Sequence, residues 1–236
     1  MAYTTINKST DYFDTSLWTG NSTSRLIPLD FEPSFVWGKA RSVATQHALF
    51  DAVRGATGRI KSDTNGAEVP NSGVTAFNSN GFTNGTSDSL NQNGQTFASW
   101  SWKANGSGSA NTDGSINSTV SASTTSGFSI VKYTGTQATA TVGHGLGIAP
   151  KMIFFKNVDG VNAGSLDFTQ YAYLNLTNAF SGNGAAFFND TNPTSSVFSL
   201  GNSSNINKSG SSIIAYCFAD VQGFSKIGSY IGNGNA

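Results

Sequence analysis

The chain carries one stretch of sequence twice, and this repetition constrains the fold more than any other feature. Residues 82–102 and 198–218 align without a gap at an offset of 116 positions. The matched pairs include Phe82 and Phe198, Gly85 and Gly201, Ser87 and Ser203, Asn91 and Asn207, and Gly94 and Gly210. The glycines mark backbone turns, and the aromatic residues that end each copy lie two positions apart, on one face of a strand. The repetition predicts two copies of one supersecondary unit.

Two weaker matches extend the repeat upstream. Residues 33–39 pair with 150–156 at an offset of 117 positions, and the opening segment 13–20 is similar to 127–135. Short apolar runs that are separated by closely spaced turn residues are typical of antiparallel sandwiches. The sequence therefore predicts an all-β chain of two tandem antiparallel β-sandwich repeats, each like a jelly roll.

The boundaries of the repeats follow from changes in composition. We expect one repeat at residues 1–103 and the other at 127–236, joined by a flexible linker rich in Gly, Ser and Asn at 104–126. Residues 223–233 reproduce the opening strand a third time, which predicts an extra C-terminal strand. The segment 42–57 fits a short helix or a strand, and its brief counterpart in the second repeat favours a strand.

The composition favours strands and argues against some partners. Hydrophobic residues make up 37% of the chain and charged residues only 11%. Ser, Thr and Asn fill much of the difference, and they compete with the helical backbone for hydrogen bonds. The 13 basic residues balance the 13 acidic ones, so no long-range field is expected to attract nucleic acid or an anionic membrane.

Few residues offer reactive chemistry. The single cysteine, Cys217, lies between two aromatic residues and is interpreted as a small buried side chain. The two histidines, His47 and His144, cannot form a three-ligand zinc site without carboxylates. A triad of a serine with either histidine stays open, although no Gly-x-Ser-x-Gly motif marks such a serine. The glycine-rich segment 143–147 lacks the spacing of a nucleotide-binding loop. We expect a protein that is not an enzyme, with no catalytic residues, metal or cofactor.

Two segments offer oxygen ligands of the kind that calcium prefers. Asn111 is close to Asp113, and Asn157 is close to Asp159, but neither segment matches an EF-hand loop. Asn, Asp and Gly are the usual residues of turns, so Asx turns are the favoured interpretation of both segments.

Three aromatic residues lie just before turns, near the expected ends of sheets. Rings in such places are accessible to sugars, so these residues are the candidate carbohydrate-binding residues. They are Trp18, Tyr133 and Tyr230. The alternative, core packing, is favoured for most aromatic residues of the chain because large rings dominate cores.

The aromatic residues that end the repeated stretch are expected to point inward. Trp100 and Trp102 match Tyr216 and Phe218 in the alignment. Aromatic residues at matched strand positions most often pack in a core. We therefore expect both tryptophans to occupy the places of their counterparts.

The start of the chain predicts no export. Residues 1–13 contain no apolar segment of a signal peptide, and no apolar run of the sequence reaches the length of a membrane-spanning helix. We expect the protein to be made in the cytoplasm and not to insert into a membrane.

Five segments of the chain are distinctive. They are YTTINKSTDYF at 3–13, LFDAVRGAT at 49–57, QTFASWSWKA at 95–104, GHGLGIAPKMI at 143–153 and IAYCFADVQGFSKIGSY at 214–230. Together they resemble a family of tailed-phage proteins, common in marine and cyanobacterial phages and usually labelled tail-fibre-like or virion structural. The resemblance covers nearly the whole chain and implies a protein on the surface of the phage particle. It carries no known catalytic residues, so none are transferred.

Three functions fit these observations. The first is a virion structural protein that is fibre-like or decorates the capsid and has a role in host attachment. The second is a lectin-like module that recognises a carbohydrate receptor. The third is an enzyme that degrades surface polysaccharide. It ranks last because glycosidases use paired carboxylates and the only glutamates are Glu32 and Glu68.

The predicted strand at 223–233 suggests how copies of the chain would assemble. An unpaired strand is an aggregation hazard, so it must pair with its own sandwich or with a neighbouring subunit. Pairing between subunits would close a ring, for which a trimer is the candidate homo-oligomer. The expected partners are other capsid or tail proteins, further copies of this chain and a host surface glycan, without nucleic acid.

Overall fold

A computed structural model describes residues 4–160, 164–167, 170–177, 182, 184–228 and 233. Nearly all of their regular structure is antiparallel β-sheet, which confirms the all-β prediction. The strands are β1 (Phe13–Thr19), β2 (Arg25–Pro28), β3 (Phe35–Ala40), β4 (Ala48–Asp51), β5 (Gly55–Ile60), β6 (Val69–Pro70), β7 (Val74–Asn78), β8 (Gly81–Asn84), β9 (Thr96–Trp102), β10 (Ser109–Asn111), β11 (Ser118–Ser123), β12 (Phe128–Thr134), β13 (Ala140–Gly143), β14 (Met152–Asn157), β15 (Gly164–Asp167), β16 (Gln170–Tyr173), β17 (Val197–Leu200) and β18 (Ser212–Phe218). The helices are a 3-10 turn (Ser9–Asp11), α1 (Asp88–Asn91), α2 (Gly184–Phe188) and α3 (Ser204–Asn207).

The first half of the chain forms a large sheet with a small sheet packed on one face. The first large sheet has the strand order β1-β9-β3-β4-β5-β6, and the first small sheet has the order β2-β8-β7. The core between them includes Ile27, Val36, Phe82, Leu90 and Phe97. Ile27 is 4% exposed and the other four side chains are 0% exposed, so the sandwich interior is closed to solvent.

The second half has the same two kinds of layer. The second large sheet has the order β10-β11-β12-β18-β14-β15-β16, and the second small sheet consists of β13 and β17. Their core includes Val131, Tyr133, Phe155 and Phe198, and α2 adds Phe187.

The two large sheets pack on each other through the faces that their small sheets leave free. Phe35 stacks on Tyr216 with ring centroids 4.2 Å apart, and Trp37 meets Phe154 edge to face at 6.0 Å. The buried core between the large sheets consists of Phe35, Leu49, Ile60, Phe128, Ile130, Ile214 and Tyr216. The chain is thus a stack of four β-layers with three cores.

Alternation along each strand explains how one large sheet serves two cores. In β3, Val36 and Ala40 contact the first small sheet, whereas Phe35 and Trp37 contact the second large sheet. A strand that is covered on both faces reads as a continuous apolar run and not as an alternating pattern. The run FVW in β3 and the run IIAYCF in β18 have this origin.

The three central strands of the two large sheets have the same order and register. β9 lies between β1 and β3, and β18 lies between β12 and β14. The partners at one end are Phe13 with Trp102 and Trp102 with Phe35 in the first sheet, and Phe128 with Phe218 and Phe218 with Met152 in the second. These partners are related by the same offsets as the sequence alignment, within one position.

The strand interpretation of segment 42–57 is confirmed. It contains β4 and the start of β5, and all four residues of β4 are buried. The sequence suggested a helix as the alternative because a strand covered on both faces has no alternating polar positions.

The flexible linker predicted at 104–126 is wrong for much of its length. β10 pairs with β11, and β11 pairs with β12 along six residues, so this segment extends the second large sheet. The composition was misleading because β11, with the sequence STVSAS, contains few apolar residues. Its ladder of backbone hydrogen bonds and the burial of Val120 compensate for that.

The predicted C-terminal strand is wrong for its described part, residues 223–228 and 233. The first of those residues belong to a turn that is closed by an isolated bridge between Val221 and Ser225. Phe224 packs edge to face on Tyr12 at 6.3 Å. Residues 229–232 lie outside the described residues.

Candidate functional site

Trp18 and Tyr133, two of the predicted carbohydrate-binding residues, each anchor a short helix. Nε1 of Trp18 donates a hydrogen bond of 2.9 Å to the carbonyl of Leu90 in α1. Oη of Tyr133 donates one of 2.5 Å to the carbonyl of Ile206 in α3. Leu90 and Ile206 are themselves matched in the repeated stretch, so two different side chains satisfy the same buried carbonyl in the two halves.

These contacts leave little of either ring for a sugar. Tyr133 is 3% exposed, and its burial raises the pKa of the phenol well above the ordinary value. Trp18 is half-buried and stacks on Phe97 with centroids 5.8 Å apart. The third candidate, Tyr230, lies outside the described residues.

A buried asparagine holds the turn beside each short helix. The side-chain oxygen of Asn91 accepts from the amide of Asn21 at 3.0 Å, and its Nδ2 donates to the carbonyls of Thr23 and Gly85 at 2.8 and 2.6 Å. Asn207 repeats this arrangement in the second half with Thr136, Ala138 and Gly201, at 2.8, 2.8 and 2.7 Å. Because both asparagines are 0% exposed, we assign them to structure and not to binding.

A buried ion cluster joins the halves. Nε of Arg54 donates to Oδ2 of Asp51 at 2.6 Å, and its Nη1 donates to Glu68. Oη of Tyr216 donates to the same Asp51 oxygen at 2.7 Å. Although burial alone would lower the pKa of Arg54, the two carboxylates hold it above the ordinary value. A guanidinium in this state is a fixed structural cation.

An exposed aromatic surface lies where the second large sheet does not cover the first. Trp100 of β9 is 38% exposed and Leu17 of β1 is 69% exposed. Trp100 lies between Thr15 and the half-buried Trp37, its partners in β1 and β3. Lys39 follows on the same face of β3. The surface formed by Leu17, Trp37, Lys39 and Trp100 is named the tryptophan rim.

The indole of Trp37 is fixed by a histidine. Its Nε1 donates a hydrogen bond of 2.8 Å to Nδ1 of His47, whose backbone amide donates to Oδ1 of Asp63 at 3.2 Å. Burial lowers the pKa of His47, with Asp63 opposing this effect and Lys39 adding to it. A neutral imidazole that accepts at Nδ1 carries its proton on Nε2, so His47 has one further hydrogen-bond donor.

Basic residues gather beside the rim. Lys61 and Lys156 line a small cavity with Trp37, Phe154 and Leu174 at the edge between the large sheets. Nζ of Lys156 donates to the carbonyl of Thr64 at 2.7 Å. Burial lowers the pKa of Lys156 to about 8, with the charge of Asp63 opposing this effect and Lys61 adding to it. The rim therefore combines exposed indole with cations, in a chain whose formal net charge is zero.

A second, polar groove lies elsewhere between the halves. It has a volume of about 400 Å³. Its lining includes Val53, Asn117, Thr119, Lys132 and Thr134. Tyr133 also lines the groove, but its side chain is 3% exposed and offers no open aromatic face. Because Lys132 is the one charged residue of the lining, the groove favours no particular ligand class.

The remaining reactive groups are placed in structural roles. Burial raises the pKa of Cys217 to about 12, so its thiol is not a nucleophile at neutral pH. The buried His144 accepts the amide of Leu146 at 3.2 Å and lies 3.2 Å from the carbonyl of Thr194. Asp113 and Asp159 each donate a backbone amide to an asparagine two positions earlier, which confirms the Asx turns.

The described residues contain neither a metal-ligand cluster nor a membrane-spanning helix. No group of three or more His, Cys, Asp or Glu side chains there is arranged to hold a metal ion. None of the helices within that part of the chain is long and apolar enough to cross a membrane.

The sequence predicted an inward position for both tryptophans at the end of β9, and Trp100 differs. Trp102 is half-buried between the large sheets and contacts Phe128 and Phe218. Trp100 projects beyond the covering sheet, whereas its counterpart Tyr216 is 1% exposed. The alignment could not reveal this difference because it depends on how the two halves are offset, not on either half alone.

Comparison with known proteins gives one match and two negative results. Residues 8–236 match the family described as Domain of unknown function (DUF7483). No curated protein and no solved structure shows significant similarity to the chain. Because the match covers nearly the whole sequence, the chain belongs to the DUF7483 family.

Proposed function

We propose that this chain is a virion structural protein on the surface of a phage particle, fibre-like or decorating the capsid, which contributes to host attachment and is not an enzyme. The observation that carries the proposal is the joining of two β-sandwiches through an aromatic face and a buried ion cluster. A particle surface favours such a rigid unit, because it must stay folded outside the cell. The resemblance of five sequence segments to tailed-phage proteins supports the same conclusion.

We also infer that the chain is a tandem duplication of residues 1–103 and 127–236, in which β10 and β11 from the intervening segment are added to the second sandwich. Three kinds of agreement support this inference. They are the common register of the central strands, the asparagine clamps of Asn91 and Asn207, and the serine N-caps Ser87 and Ser203 of α1 and α3. Unrelated sandwiches would have no reason to share all three at constant sequence offsets.

Labelling of intact particles tests the location. Antibodies against the purified chain are expected to decorate the capsid or the tail in electron micrographs of particles from a lysate that contains it. Absence of the protein from purified and washed particles would contradict the proposal. The same micrographs distinguish capsid from tail, and native mass spectrometry of the purified chain tests the proposed homo-oligomer, with a trimer as the candidate.

A lectin-like receptor module is the second candidate function, and the exposed indole of Trp100 favours it. Purified protein is then expected to bind to host cells and to compete with the phage for adsorption. New reducing ends after incubation with host polysaccharide would instead support the enzyme that we rank last.

A further inference from the structure

We propose that the tryptophan rim is a binding site for an acidic saccharide, a sugar that carries carboxylate, sulfate or phosphate groups. Only the biological purpose of this site depends on the proposed role in attachment. Its binding chemistry is argued from Trp37, Trp100, Lys39, Lys61 and His47, none of which was assigned to binding from the sequence.

The rim offers an aromatic platform. Trp37 and Trp100 are direct cross-strand partners on one face of the first large sheet, and side chains in this relationship lie about 5 Å apart at Cβ. The hydrogen bond from Nε1 of Trp37 to Nδ1 of His47 fixes one ring before any ligand arrives. A prearranged ring loses less conformational entropy on binding, which favours affinity.

Two lysines beside this platform have charges that no nearby carboxylate neutralises in an ion pair. Lys39 lies two positions after Trp37 on the same face, and Lys61 lines the adjoining cavity. Among the described residues, neither has a carboxylate within salt-bridge distance, because the ion pairs there involve other lysines and Arg54. Asp63 is the one acidic residue that influences the pKa of both His47 and Lys156. The rim is thus complementary to an anion.

The polar groups beside the rings are suited to hydroxyl groups of a ligand. The Nε2–H of His47 and the ammonium groups of Lys39 and Lys61 are donors, and Asp63 supplies acceptors. Sites that combine an apolar aromatic wall with a few placed polar groups recognise small organic ligands of mixed character. A sugar ring has such a character, with an apolar face of C–H groups and a rim of hydroxyls.

The same features argue against a nucleic acid strand. Binding of a phosphate backbone requires a basic stripe or groove, since each neutralised phosphate contributes through counterion release. Here two lysines lie beside one pair of indoles. Because the formal net charge of the whole chain is zero, the remaining residues carry no net positive charge that would extend this site into a basic stripe.

Calorimetric titration of the purified chain tests the proposal. The probes are a sulfated heparin-derived hexasaccharide, a hexagalacturonate, a neutral maltohexaose and a single-stranded DNA hexamer. We expect binding of at least one acidic hexasaccharide, and affinity for it about tenfold or more above that for maltohexaose and the DNA. Quenching of tryptophan fluorescence by the bound sugar is the second readout.

Two variants locate the site. Trp100→Ala and the double variant Lys39→Gln/Lys61→Gln are each expected to weaken binding of the acidic saccharide about tenfold. Lys132→Gln, which removes a cation from the polar groove, is the matched control and is expected to keep the parental affinity. Because Trp100 is exposed, its variant is expected to fold, and the lysine double variant tests the same site without changing the ring.

Four results would overturn the proposal. They are binding of neither acidic sugar, equal binding of maltohexaose, tighter binding of the DNA, and affinity that is unchanged in both rim variants. Particle labelling is independent of these titrations, so a protein that decorates the virion but binds no acidic sugar would refute the site and leave the proposed location intact.

Discussion

Oη of Tyr216 donates a hydrogen bond of 2.7 Å to Oδ2 of Asp51, across a separation of 165 positions in the chain. The same carboxylate oxygen accepts from Nε of Arg54 at 2.6 Å. The side chains of Asp51 and Arg54 are 0% and 2% exposed, and Tyr216 belongs to the core between the large sheets. Apolar surfaces slide over each other at low cost, whereas this polar contact has one geometry. We infer that it helps to fix how the two halves are aligned.

Removal of the Asp51 charge is expected to be severely destabilising. Asp51→Asn leaves the buried guanidinium of Arg54 with Glu68 as its remaining carboxylate, and breaking a buried ion pair typically costs about 3–5 kcal/mol. Urea unfolding followed by fluorescence measures the free energy of unfolding. Glu32→Gln, which changes an exposed carboxylate, is the control and should change stability by less than about 0.5 kcal/mol. Equal stability of the two variants would show that the cluster contributes nothing.

The stabilisation that the Tyr216 hydrogen bond provides should decrease at alkaline pH. Burial and then the charge of Asp51 raise the pKa of this phenol well above its ordinary value of 10.0. An unfolded chain therefore ionises first, so the stabilisation by Tyr216 is complete below pH 10 and decreases as the pH rises above that value. We expect the parental protein to exceed Tyr216→Phe in stability by about 1–3 kcal/mol at pH 7, with a smaller difference at pH 11. A difference that is constant over this range would contradict the assignment.

The amount of fold that the sequence could predict depends on what covers each strand. Repeated glycines and aromatic pairs were sufficient for the all-β class and for the paired positions of β9 and β18. The strands β10 and β11 were missed because strands rich in Ser and Thr resemble a linker when apolar residues are the signal. Their stability comes from the backbone ladders that pair β10 with β11 and β11 with β12, which Ser and Thr residues can form as well as apolar ones.

The candidate site could not be predicted from the sequence, for a different reason. Trp18 and Tyr133 lie before turns as predicted, but their polar atoms are bound to carbonyls of α1 and α3, contacts across more than seventy positions. Trp100 was predicted to be inside because its counterpart Tyr216 is. Which of two matched residues is exposed depends on the packing of one half against the other, and the repeat contains no information on that packing.

The buried asparagines are expected to be equally important in the two halves. Asn91→Ala and Asn207→Ala each leave three backbone groups without their side-chain partner. A single unsatisfied buried group costs about 1–3 kcal/mol, so we expect a loss of at least about 3 kcal/mol for each variant. Thermal unfolding measures the loss of stability. Asn202→Ala, which changes an exposed asparagine, is the control. A large loss in one half only would argue against equivalent clamps and against the inferred duplication.

The two tryptophans at the end of β9 are expected to differ in their contribution to stability. Trp102 contacts Phe13 and Phe35 at 4.9 and 5.2 Å within the layer between the sheets, so Trp102→Ala should cost about 3–5 kcal/mol. Trp100 is 38% exposed, and Trp100→Ala should cost clearly less, about 1 kcal/mol. Chemical denaturation of both variants gives the comparison. If Trp100→Ala proved the more damaging, the tryptophan rim would be a structural surface.

Matched glycines provide the last prediction, because two pairs differ in why glycine is required. Gly94 and Gly210 both have φ of +75°, and the space that a Cβ would occupy there is open. Alanine at these positions meets only the left-handed backbone strain, about 1–2 kcal/mol. At Gly85 and Gly201 an added Cβ would lie 2.1 and 2.2 Å from backbone carbonyl oxygens. Backbone atoms in a clamped loop cannot move away as a flexible side chain can.

We therefore expect Gly85→Ala and Gly201→Ala to lose more stability than Gly94→Ala and Gly210→Ala, and by similar amounts in the two halves. The free energies of unfolding of the four variants form a two-by-two comparison. The difference between the crowded and the open glycine positions separates steric conflict from backbone strain. The difference between the first and the second half measures how alike the halves are. If Gly201→Ala were as mild as Gly210→Ala, the close approach of Gly201 to α2 would not be a requirement of the fold. A difference between halves larger than that between glycine types would count against duplication, since each copy would then have come to depend on different turns.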